Sequence, residues 1–312
     1  MVESDNLMVT VNCLVYNHEP FLRQCLDGFV MQKTTFKFEV IVHDDASTDR
    51  SADIIREYAE RYPNIIRPVF EKENQYSKGV TRELLHIIFV PKCSSKYIAY
   101  CEGDDYWTDP LKLQTQVDFM ERHPEFVVSS HLHDVYNERT KEQFHEDSFC
   151  NFEYITENKS EYFEYTYFDG WFTHPLTCMY RNEKVLRDIP AEKYPYFIDT
   201  VFFYYLLRGK KGALLNNNMA VYRIHDGGIY SGASMLNNYK RNISNLFLIY
   251  KVEGERRVLN ALVYNESRCI SYYLVERRFR DAINEFSKAL LRLPLKYYKS
   301  LFGGIYYNLK SR

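Results

Sequence analysis

The chain has 312 residues, which is enough for one large domain or two small ones with a substantial hydrophobic core. Its 40 Lys and Arg nearly balance its 42 Asp and Glu, which excludes the strongly basic composition of many nucleic-acid-binding proteins. Aromatic residues make up 16% of the chain, a content that suits a large core and also suits stacking against sugars.

Strands and helices alternate over the first third of the chain. Short apolar runs rich in β-formers predict strands at Leu7–Val15, Phe38–Val42, Ile65–Phe70 and Tyr97–Cys101. Apolar residues at helical spacing predict helices from Asn17 or His18 to Val30, at Ser51–Tyr62 and at Lys78–Val90. This alternation predicts an α/β fold with a mostly parallel sheet, right-handed crossovers and flanking helices.

The pattern is less regular in the rest of the chain. The next predicted elements are a helix from Asp109 to about His123, a strand Phe126–Val135, a strand Phe172–Arg181, a helix Asp199–Leu207 and a strand Ala213–Arg223. Residues 138–169 lack periodicity, and the chain is mostly helical from about Met235. We predict a domain of residues 1–230, with halves 1–105 and 106–230, followed by a helical region of residues 231–312.

Polar residues follow three of the predicted strands directly. They are Tyr16 and Asn17 after the first strand, Asp44, Asp45 and Ser47 after the second, and Glu102, Asp104 and Asp105 after the fourth. Ligands of open parallel sheets collect outside the carboxyl ends of the strands, so these residues predict a binding site. No G-x-G-x-x-G or P-loop pattern follows any strand, which argues against a dinucleotide or P-loop site.

The acidic turn Glu102-Gly-Asp-Asp105 concentrates negative charge. Three carboxylates within four residues repel one another, and a hard cation such as Mg²⁺ or Mn²⁺, which prefers oxygen ligands, would offset that repulsion. Gly103 is expected to permit a tight turn. The alternative is a solvated acidic turn that caps the helix beginning at Asp109-Pro110.

The seven cysteines include no C-x-x-C pair, and several lie in apolar runs. This pattern predicts a reducing compartment, with neither a disulfide framework nor a zinc site. Residues 1–6 lack the features of a signal peptide, and no apolar run approaches the roughly 18 residues of a membrane span. We therefore predict a cytoplasmic protein.

The order strand-Tyr-Asn, strand-Asp-Asp-Ala-Ser-Thr-Asp and strand-Glu-Gly-Asp-Asp-Tyr-Trp resembles glycosyltransferase family 2, with its Rossmann-like GT-A fold. The run Tyr222-Arg-Ile-His225, followed by Gly227 and Gly228, is similar to that of bacterial members that build surface polysaccharides. The likeness covers about residues 7–230. It implies an inverting transferase that uses Mn²⁺ or Mg²⁺ and moves a sugar from a nucleotide diphosphate, by family frequency UDP, to a hydroxyl of a glycan or lipid-linked acceptor.

The resemblance also implies roles for individual residues. Tyr16 would lie against the nucleotide base, Asp45 would hydrogen-bond it, and Asp44 and Ser47 would shape the turn. Asp104 and Asp105 match the DxD region, which binds ribose and the diphosphate-bound metal, and His225 matches a metal or diphosphate contact. Asp199 matches the general base. Glu102 departs from the commoner Asp at its position.

Several of these residues have a structural alternative. Asp199 is also a common type of helix N-cap. Tyr16 would serve equally as a core aromatic at a strand end, and His225 as a loop histidine bonded within its own loop. Arg223 pairs either with phosphate or with a neighbouring acid.

The two tryptophans are interpreted differently. Trp171, which follows Gly170, would either stack on a pyranose of the acceptor or fill core. Trp107, which follows the acidic turn directly, is interpreted as a packing residue.

The last residues combine basic and apolar side chains. From Lys288 to Arg312 there is no Asp or Glu, and Lys and Arg alternate with Leu, Phe and Tyr. This composition predicts a membrane-surface segment, which would suit a lipid-linked acceptor at the inner face of the plasma membrane. The alternative is a solvated basic tail that packs one face on the domain. The oligomeric state is left open.

Two other functional classes compete with a transferase. A non-catalytic nucleotide-sugar or carbohydrate-binding module on the same fold would be favoured if Asp199 lay far from the acidic turn. A nucleotidyltransferase would usually need a glycine-rich basic loop after the first strand, whereas Tyr16-Asn-His-Glu-Pro20 contains neither glycine nor lysine.

Overall fold

The computed structural model describes residues 7–80, 93–145, 161–169, 172–194, 199–228 and 234–311. The strands are β1 Leu7–Val15, β2 Lys37–Asp44, β3 Ile66–Phe70, β4 Tyr97–Tyr100, β5 Tyr106–Trp107, β6 Phe126–Asn137, β7 Glu142–His145, β8 Tyr162–Tyr165, β9 Met179–Arg181 and β10 Lys211–Ile224. The α-helices are α1 Glu19–Val30, α2 Ser51–Arg61, α3 Lys112–Arg122, α4 Asp199–Leu207, α5 Met235–Glu253, α6 Leu259–Val275, α7 Phe279–Arg292 and α8 Tyr298–Lys310.

All ten of these strands belong to one mixed sheet, whose main order is β3-β2-β1-β4-β9-β6-β10-β5. Strands β3, β2, β1 and β4 pair in parallel, as do β6 and β10. The short strand β9 lies antiparallel between β4 and β6 and joins the two parallel groups. The predicted α/β fold with a mostly parallel sheet, flanking helices and a helical C-terminal region is therefore confirmed.

The core beneath the site is built by β1 and α1. Val9, Val11 and Cys13 have no solvent exposure, as expected for a parallel strand covered on both faces. Gly28 on α1 lies so close to β5 that a Cβ there would stand 2.9 Å from the carbonyl oxygen of Trp107. Trp107 is 2% exposed and donates its indole N–H to the Leu176 carbonyl at 3.0 Å, so the structure confirms that it is a packing residue.

One sequence prediction was wrong in part. Only Met179–Arg181 of the predicted strand Phe172–Arg181 is a strand, because Pro175–Thr177 forms a 3₁₀ turn in which Thr177 donates its hydroxyl to the His174 carbonyl. The aperiodic residues 138–169 contain β7 and β8, which add to the sheet as antiparallel strands. Most of the predicted helix Lys78–Val90 lies outside the described residues.

The described residues form two compact units. The first comprises the described parts of Met1–Ile189 and Phe202–Ile224, and the second those of Pro190–Val201 and His225–Arg312. The predicted domain boundary at residue 230 stays a prediction. Among the described residues, no helix is long and apolar enough to cross a membrane. The six described cysteines are buried.

Candidate active site

The turns that follow β1 and β2 are hydrogen-bonded to each other in the first unit. Asn17 adopts a left-handed backbone with φ of 55°, and its N–H donates to Ser47 Oγ at 2.9 Å. Its side-chain oxygen accepts from the Thr48 N–H at 2.7 Å. Asparagine tolerates this conformation better than most residues, so Asn17 both reverses the chain and ties the two strand ends together.

The helices that start from these turns cap each other. The Glu19 N–H donates to Asp49 Oδ2 at 2.9 Å, and the Arg50 N–H donates to Glu19 Oε2 at 3.0 Å. The His18 N–H donates to Ser51 Oγ at 3.0 Å. Because backbone donors at helix N-termini need partners, this exchange fixes the relative position of α1 and α2.

Asp44 and Asp45 make different contacts. Asp44 Oδ2 accepts from the Ser47 N–H at 3.3 Å, and burial raises the pKa of the Asp44 carboxyl above its usual value. The two oxygens of Asp45 accept backbone N–H groups, from Gln75 at 2.6 Å and from Tyr76 at 3.1 Å. Asp45 therefore anchors the segment after β3, a role that the sequence did not indicate. A carboxylate oxygen has two lone pairs, so these bonds leave capacity for a ligand.

Tyr16 stands at the carboxyl end of β1 and is 44% exposed. The alternative of a core aromatic is therefore wrong. An exposed ring beside Asn17 and the Asp45 turn is placed to offer a stacking surface to a flat ligand.

The acidic turn runs alongside the end of β1. The Cys101 N–H donates to the Asn12 carbonyl at 3.1 Å, and the Gly103 N–H donates to the Leu14 carbonyl at 3.0 Å. A Cβ on Gly103 would lie 2.9 Å from both His18 Nδ1 and a Val15 methyl. Gly103 lies in a turn, as expected, in which the Asp105 N–H donates to the Glu102 carbonyl at 3.1 Å. The described glycines with positive φ are Gly79, Gly209 and Gly254, so glycine is needed at position 103 for close packing and not for a left-handed backbone.

We expect Gly103→Ala to weaken both the fold and the site, because the added methyl group must push the acidic turn away from β1 and His18. Overpacking of this kind typically costs ~1–3 kcal/mol. Thermal unfolding and donor titration would measure the two effects. Gly303→Ala on α8 is the matched control, since its Cβ would meet no atom within 4 Å. Equal midpoints for the two variants would contradict the packing argument.

Arg223, near the end of β10, is the structural partner of the acidic turn. Its backbone N–H donates to Asp105 Oδ1 at 2.8 Å, and its Nε donates to the Asp104 carbonyl at 2.7 Å. Its guanidinium also pairs with Glu138 and donates to Gln24 Oε1 at 2.7 Å. The Arg223 side chain is only 5% exposed. Of its two predicted partners, phosphate or a neighbouring acid, the structure shows the acid.

The carboxylates of the turn lie in different surroundings. Asp104 and Asp105 are 9% and 4% exposed, and Asp104 Oδ2 lies 3.7 Å from His18 Nε2. Glu102 accepts a hydrogen bond from the Tyr100 hydroxyl at 3.2 Å. The structure therefore holds Glu102 against its own strand.

These residues suit a divalent cation whose ligands come partly from the protein and partly from a substrate. Asp104 and Asp105 offer only oxygen donors, which Mg²⁺ and Mn²⁺ prefer. Within the described parts of the chain, no group of three or more His, Cys, Asp or Glu side chains could hold a metal alone. One or two carboxylates suffice when phosphate oxygens and water complete the coordination, so the donor set fits a metal–diphosphate complex.

A buried lysine contacts Trp107, which follows the acidic turn. Lys112, the first residue of α3, has no solvent exposure, and burial lowers its pKa to about 7. Its ammonium lies 4.0 Å from the Trp107 ring centroid and donates to Gln116 Oε1 at 2.6 Å. Gln116 in turn donates to the Ser129 and Thr177 carbonyls. This network joins α3 to β6 and to the 3₁₀ turn.

Sequence reasoning missed an imidazole cluster on β6. The His133 and His174 rings are 4.7 Å apart by centroid, and His174 lies 4.8 Å from Tyr222, the neighbour of Arg223. Burial lowers the pKa of His133 to about 4, so this imidazole is neutral at pH 7 and carries one donor and one acceptor. The alternation Ser129-x-His131-x-His133 was the available signal, because alternate strand residues share a face.

Two predicted residues belong to the second unit. Asp199 begins α4, and its Oδ1 accepts the N–H of the next residue, Thr200, at 2.7 Å. His225 Nδ1 accepts the Gly227 N–H at 3.2 Å, so a metal contact would have to use Nε2. The roles of both residues stay predictions. Trp171, the predicted acceptor contact, lies outside the described residues.

A family model and a curated relative each match more than half of this chain. The family model described as Glycosyl transferase family 2 matches residues 10–187. An uncharacterized protein of Mycobacterium tuberculosis is 37% identical over 226 residues, which are 72% of this chain and 61% of that protein. The chain therefore spans about three fifths of that relative's length.

Solved structures share the fold. Residues 1–349 of Staphylococcus aureus TarS, in complex with UDP-GlcNAc, superpose with a TM-score of 0.69 at 16% identity, over 98% of this chain and 91% of that one. The mannosyltransferase PcManGT of Pyrobaculum calidifontis, in complex with GDP-Man and Mn²⁺, has a TM-score of 0.57 at 15% identity, over 98% of this chain and 81% of that one. At these identities the likeness establishes the fold alone.

Proposed function

We propose that this chain, which belongs to glycosyltransferase family 2, is an inverting, metal-dependent enzyme that transfers a sugar from a nucleotide diphosphate to a hydroxyl group. The observation that carries the proposal is the meeting of three strand ends in the first unit. The turn after β1 is bonded to the turn after β2, and the acidic turn after β4 is bonded to β1.

The base and the diphosphate of the donor would occupy different parts of this site. The exposed ring of Tyr16 would stack on the base, and the Asp45 carboxylate would accept an N–H from it. Asp44 and Ser47 would hold the turn between them. Asp104 and Asp105, with Glu102 as the more distant acid, would face ribose and diphosphate. We assign UDP as the nucleotide, a choice supported by the complex of TarS with UDP-GlcNAc.

Asp104 and Asp105 would hold the cation together with the diphosphate oxygens, and we assign a supporting contact to His225. When bound, Mn²⁺ or Mg²⁺ supplies positive charge that stabilises the departing diphosphate. The protein's own contribution is to fix the positions of those carboxylates. Arg223 binds both the Asp105 carboxylate and the Asp104 backbone, so the turn is braced before the donor arrives.

We assign the general base to Asp199. Its carboxylate would accept the proton of the acceptor hydroxyl while that oxygen forms a bond to the anomeric carbon. The bond from the anomeric carbon to the diphosphate oxygen breaks on the opposite face, so the anomeric configuration inverts. The electron pair of the broken bond leaves with the nucleotide diphosphate.

The acceptor assigned by this proposal is a surface glycan or its lipid-linked precursor. A lipid-linked acceptor would place the enzyme in peripheral contact with the inner face of the plasma membrane. Trp171 remains the proposed acceptor contact.

A thermal-shift screen of nucleotide sugars, each with and without Mn²⁺, tests the proposal. We expect a UDP-sugar to raise the melting temperature in the presence of the metal, because a ligand that binds only the folded state stabilises it. Control samples would contain Mn²⁺ alone and UMP, which lacks the diphosphate. Stabilisation by the donor without transfer to any glycan acceptor would favour a binding module, and no donor-dependent shift would refute the proposed site.

A further inference from the structure

Helix α7 of the second unit exposes more of its apolar side chains than an ordinary surface helix does. Its buried positions are Ala282, Glu285 and Ala289, which are small or charged. Three of its five large apolar residues are exposed, Phe279 at 59%, Ile283 at 67% and Leu291 at 87%, and the other two are of intermediate exposure. A surface helix normally buries its apolar stripe and solvates its charges.

An ion network fixes this orientation. Arg292 donates to Glu266 Oε1 at 2.7 Å and to Glu285 Oε1 at 2.9 Å. Glu266 on α6 is fully buried, and burial raises its pKa to about 7. Rotating α7 to bury its apolar stripe would leave these charges without their partners, which is strongly unfavourable. The outward direction of the stripe is therefore part of the fold.

Helix α8 extends the same surface. The Phe286 and Phe302 rings are 5.2 Å apart by centroid, which joins the two helices on this side. Phe302 is 56% exposed and Tyr306, one turn later, is 68% exposed, whereas Leu301 is fully buried. We use the name apolar face for six exposed apolar residues of α7, α8 and the segment between them; they are Phe279, Ile283, Leu291, Leu295, Phe302 and Tyr306.

The charges around the apolar face are nearly all positive. From Arg277 to Lys310 the sequence has eight Lys and Arg but only two acids, Asp281 and Glu285. Asp281 is paired with Arg278 at 2.7 Å, and Glu285 is in the buried network. Lys288, Lys296, Lys299 and Lys310 are exposed. A partner of this face must therefore be apolar at its centre and negatively charged around it.

We propose that the apolar face binds the surface of an anionic phospholipid bilayer. Amphipathic helices that lie in a membrane interface combine Phe, Leu and aromatic residues with Lys and Arg that reach the headgroups. Protein interfaces, by contrast, are depleted in lysine. The inference deepens the proposed function by naming the bilayer as the partner through which a lipid-linked acceptor would be reached. Its own evidence lies in α7 and α8 alone.

Co-sedimentation of the full chain with vesicles tests the proposal. We expect binding to phosphatidylglycerol–phosphatidylcholine vesicles, weaker binding to pure phosphatidylcholine, and loss of binding as salt screens the charges. The double variant Leu291→Ser with Phe302→Ser should reduce partition at least tenfold. The matched control is Leu111→Ser with Phe144→Ser, which removes one leucine and one phenylalanine that are 48% and 46% exposed in the first unit.

A charge variant tests the same face without touching apolar packing. Lys296→Gln with Lys299→Gln should weaken partition to anionic vesicles roughly thirtyfold, at ~1 kcal/mol for each basic side chain near the surface. Undiminished binding by both variants, or no binding by the full chain, would overturn the proposal. So would concentration-dependent dimerisation that the Leu291→Ser, Phe302→Ser variant abolishes, without lipid binding. These measurements use no donor, so their failure would leave the proposed transferase activity untouched.

Discussion

Replacing Asp105 by asparagine is expected to reduce sugar transfer by about 10²–10³-fold in the presence of Mn²⁺, the size of effect seen when one stabilising group for developing charge is lost. The variant removes a negative charge from a turn where Asp104 and Asp105 are both nearly buried. Asparagine keeps an oxygen that can accept the Arg223 N–H, which Asp105 Oδ1 accepts at 2.8 Å. Loss of activity would therefore report on the cation and not on the shape of the turn.

The measurement is steady-state transfer at increasing Mn²⁺ concentration. We expect the variant to need more metal for half-maximal rate and to reach a lower plateau. Asp118→Asn on α3 is the matched control, because Asp118 is an exposed acid that accepts a hydrogen bond from Gln114. Near-parental turnover by Asp105→Asn, and by the harsher Asp105→Ala, would remove Asp105 from the metal site.

The second large effect is expected for Asp199→Asn, with kcat lower by about 10²–10⁴-fold, the usual contribution of a general base. Asparagine is as good as aspartate at a helix start, so it should keep the contact with the Thr200 N–H that Asp199 makes at 2.7 Å. It cannot accept a proton from the acceptor. Donor affinity and melting temperature should therefore stay close to those of the parent protein.

Single-turnover transfer and donor titration separate these outcomes. The loss of rate at low pH that a protonating base imposes should disappear in the variant. Asp281→Asn is the control, because Asp281 is another first-turn acid of a helix in the second unit. An unchanged kcat for Asp199→Asn would show that the residue acts only as a helix-start acid. A large drop in donor affinity would place it in the donor site instead.

The periodic part of the fold was predictable, because local pattern carries that information. Apolar runs and helical spacing located β1, β2 and α2 within a few residues, and the polar residues after β1, β2 and β4 indicated the candidate site. The prediction for Phe172–Arg181 failed because its apolar content did not reveal that Pro175 begins a turn.

Local sequence patterns could not predict the contacts that hold the site together. Arg223 reaches Asp105 across 118 positions of sequence, and whether its guanidinium meets phosphate or protein depends on what lies beside β10. Gly103 lies in the expected turn, but the close approach of His18 and Val15, which requires a glycine there, was not predictable. Asp45 accepts hydrogen bonds from backbone N–H groups of the segment after β3. Such contacts do not depend on the side chains of that segment, so its sequence does not reveal them.

By itself, the sequence determined the order β1-α1-β2-α2-β3 at the start of the chain, the acidic turn, the polar strand ends and the family to which they belong. These features depend on residues close together along the chain, where periodicity and motif order can be read. Only the tertiary structure decided that Tyr16 is exposed, that Arg223 braces the acidic turn, and that α7 exposes most of its large apolar residues. Each of these depends on packing between distant segments. The outward face of α7 follows from the Glu266–Arg292–Glu285 network, which no pattern within one helix reveals.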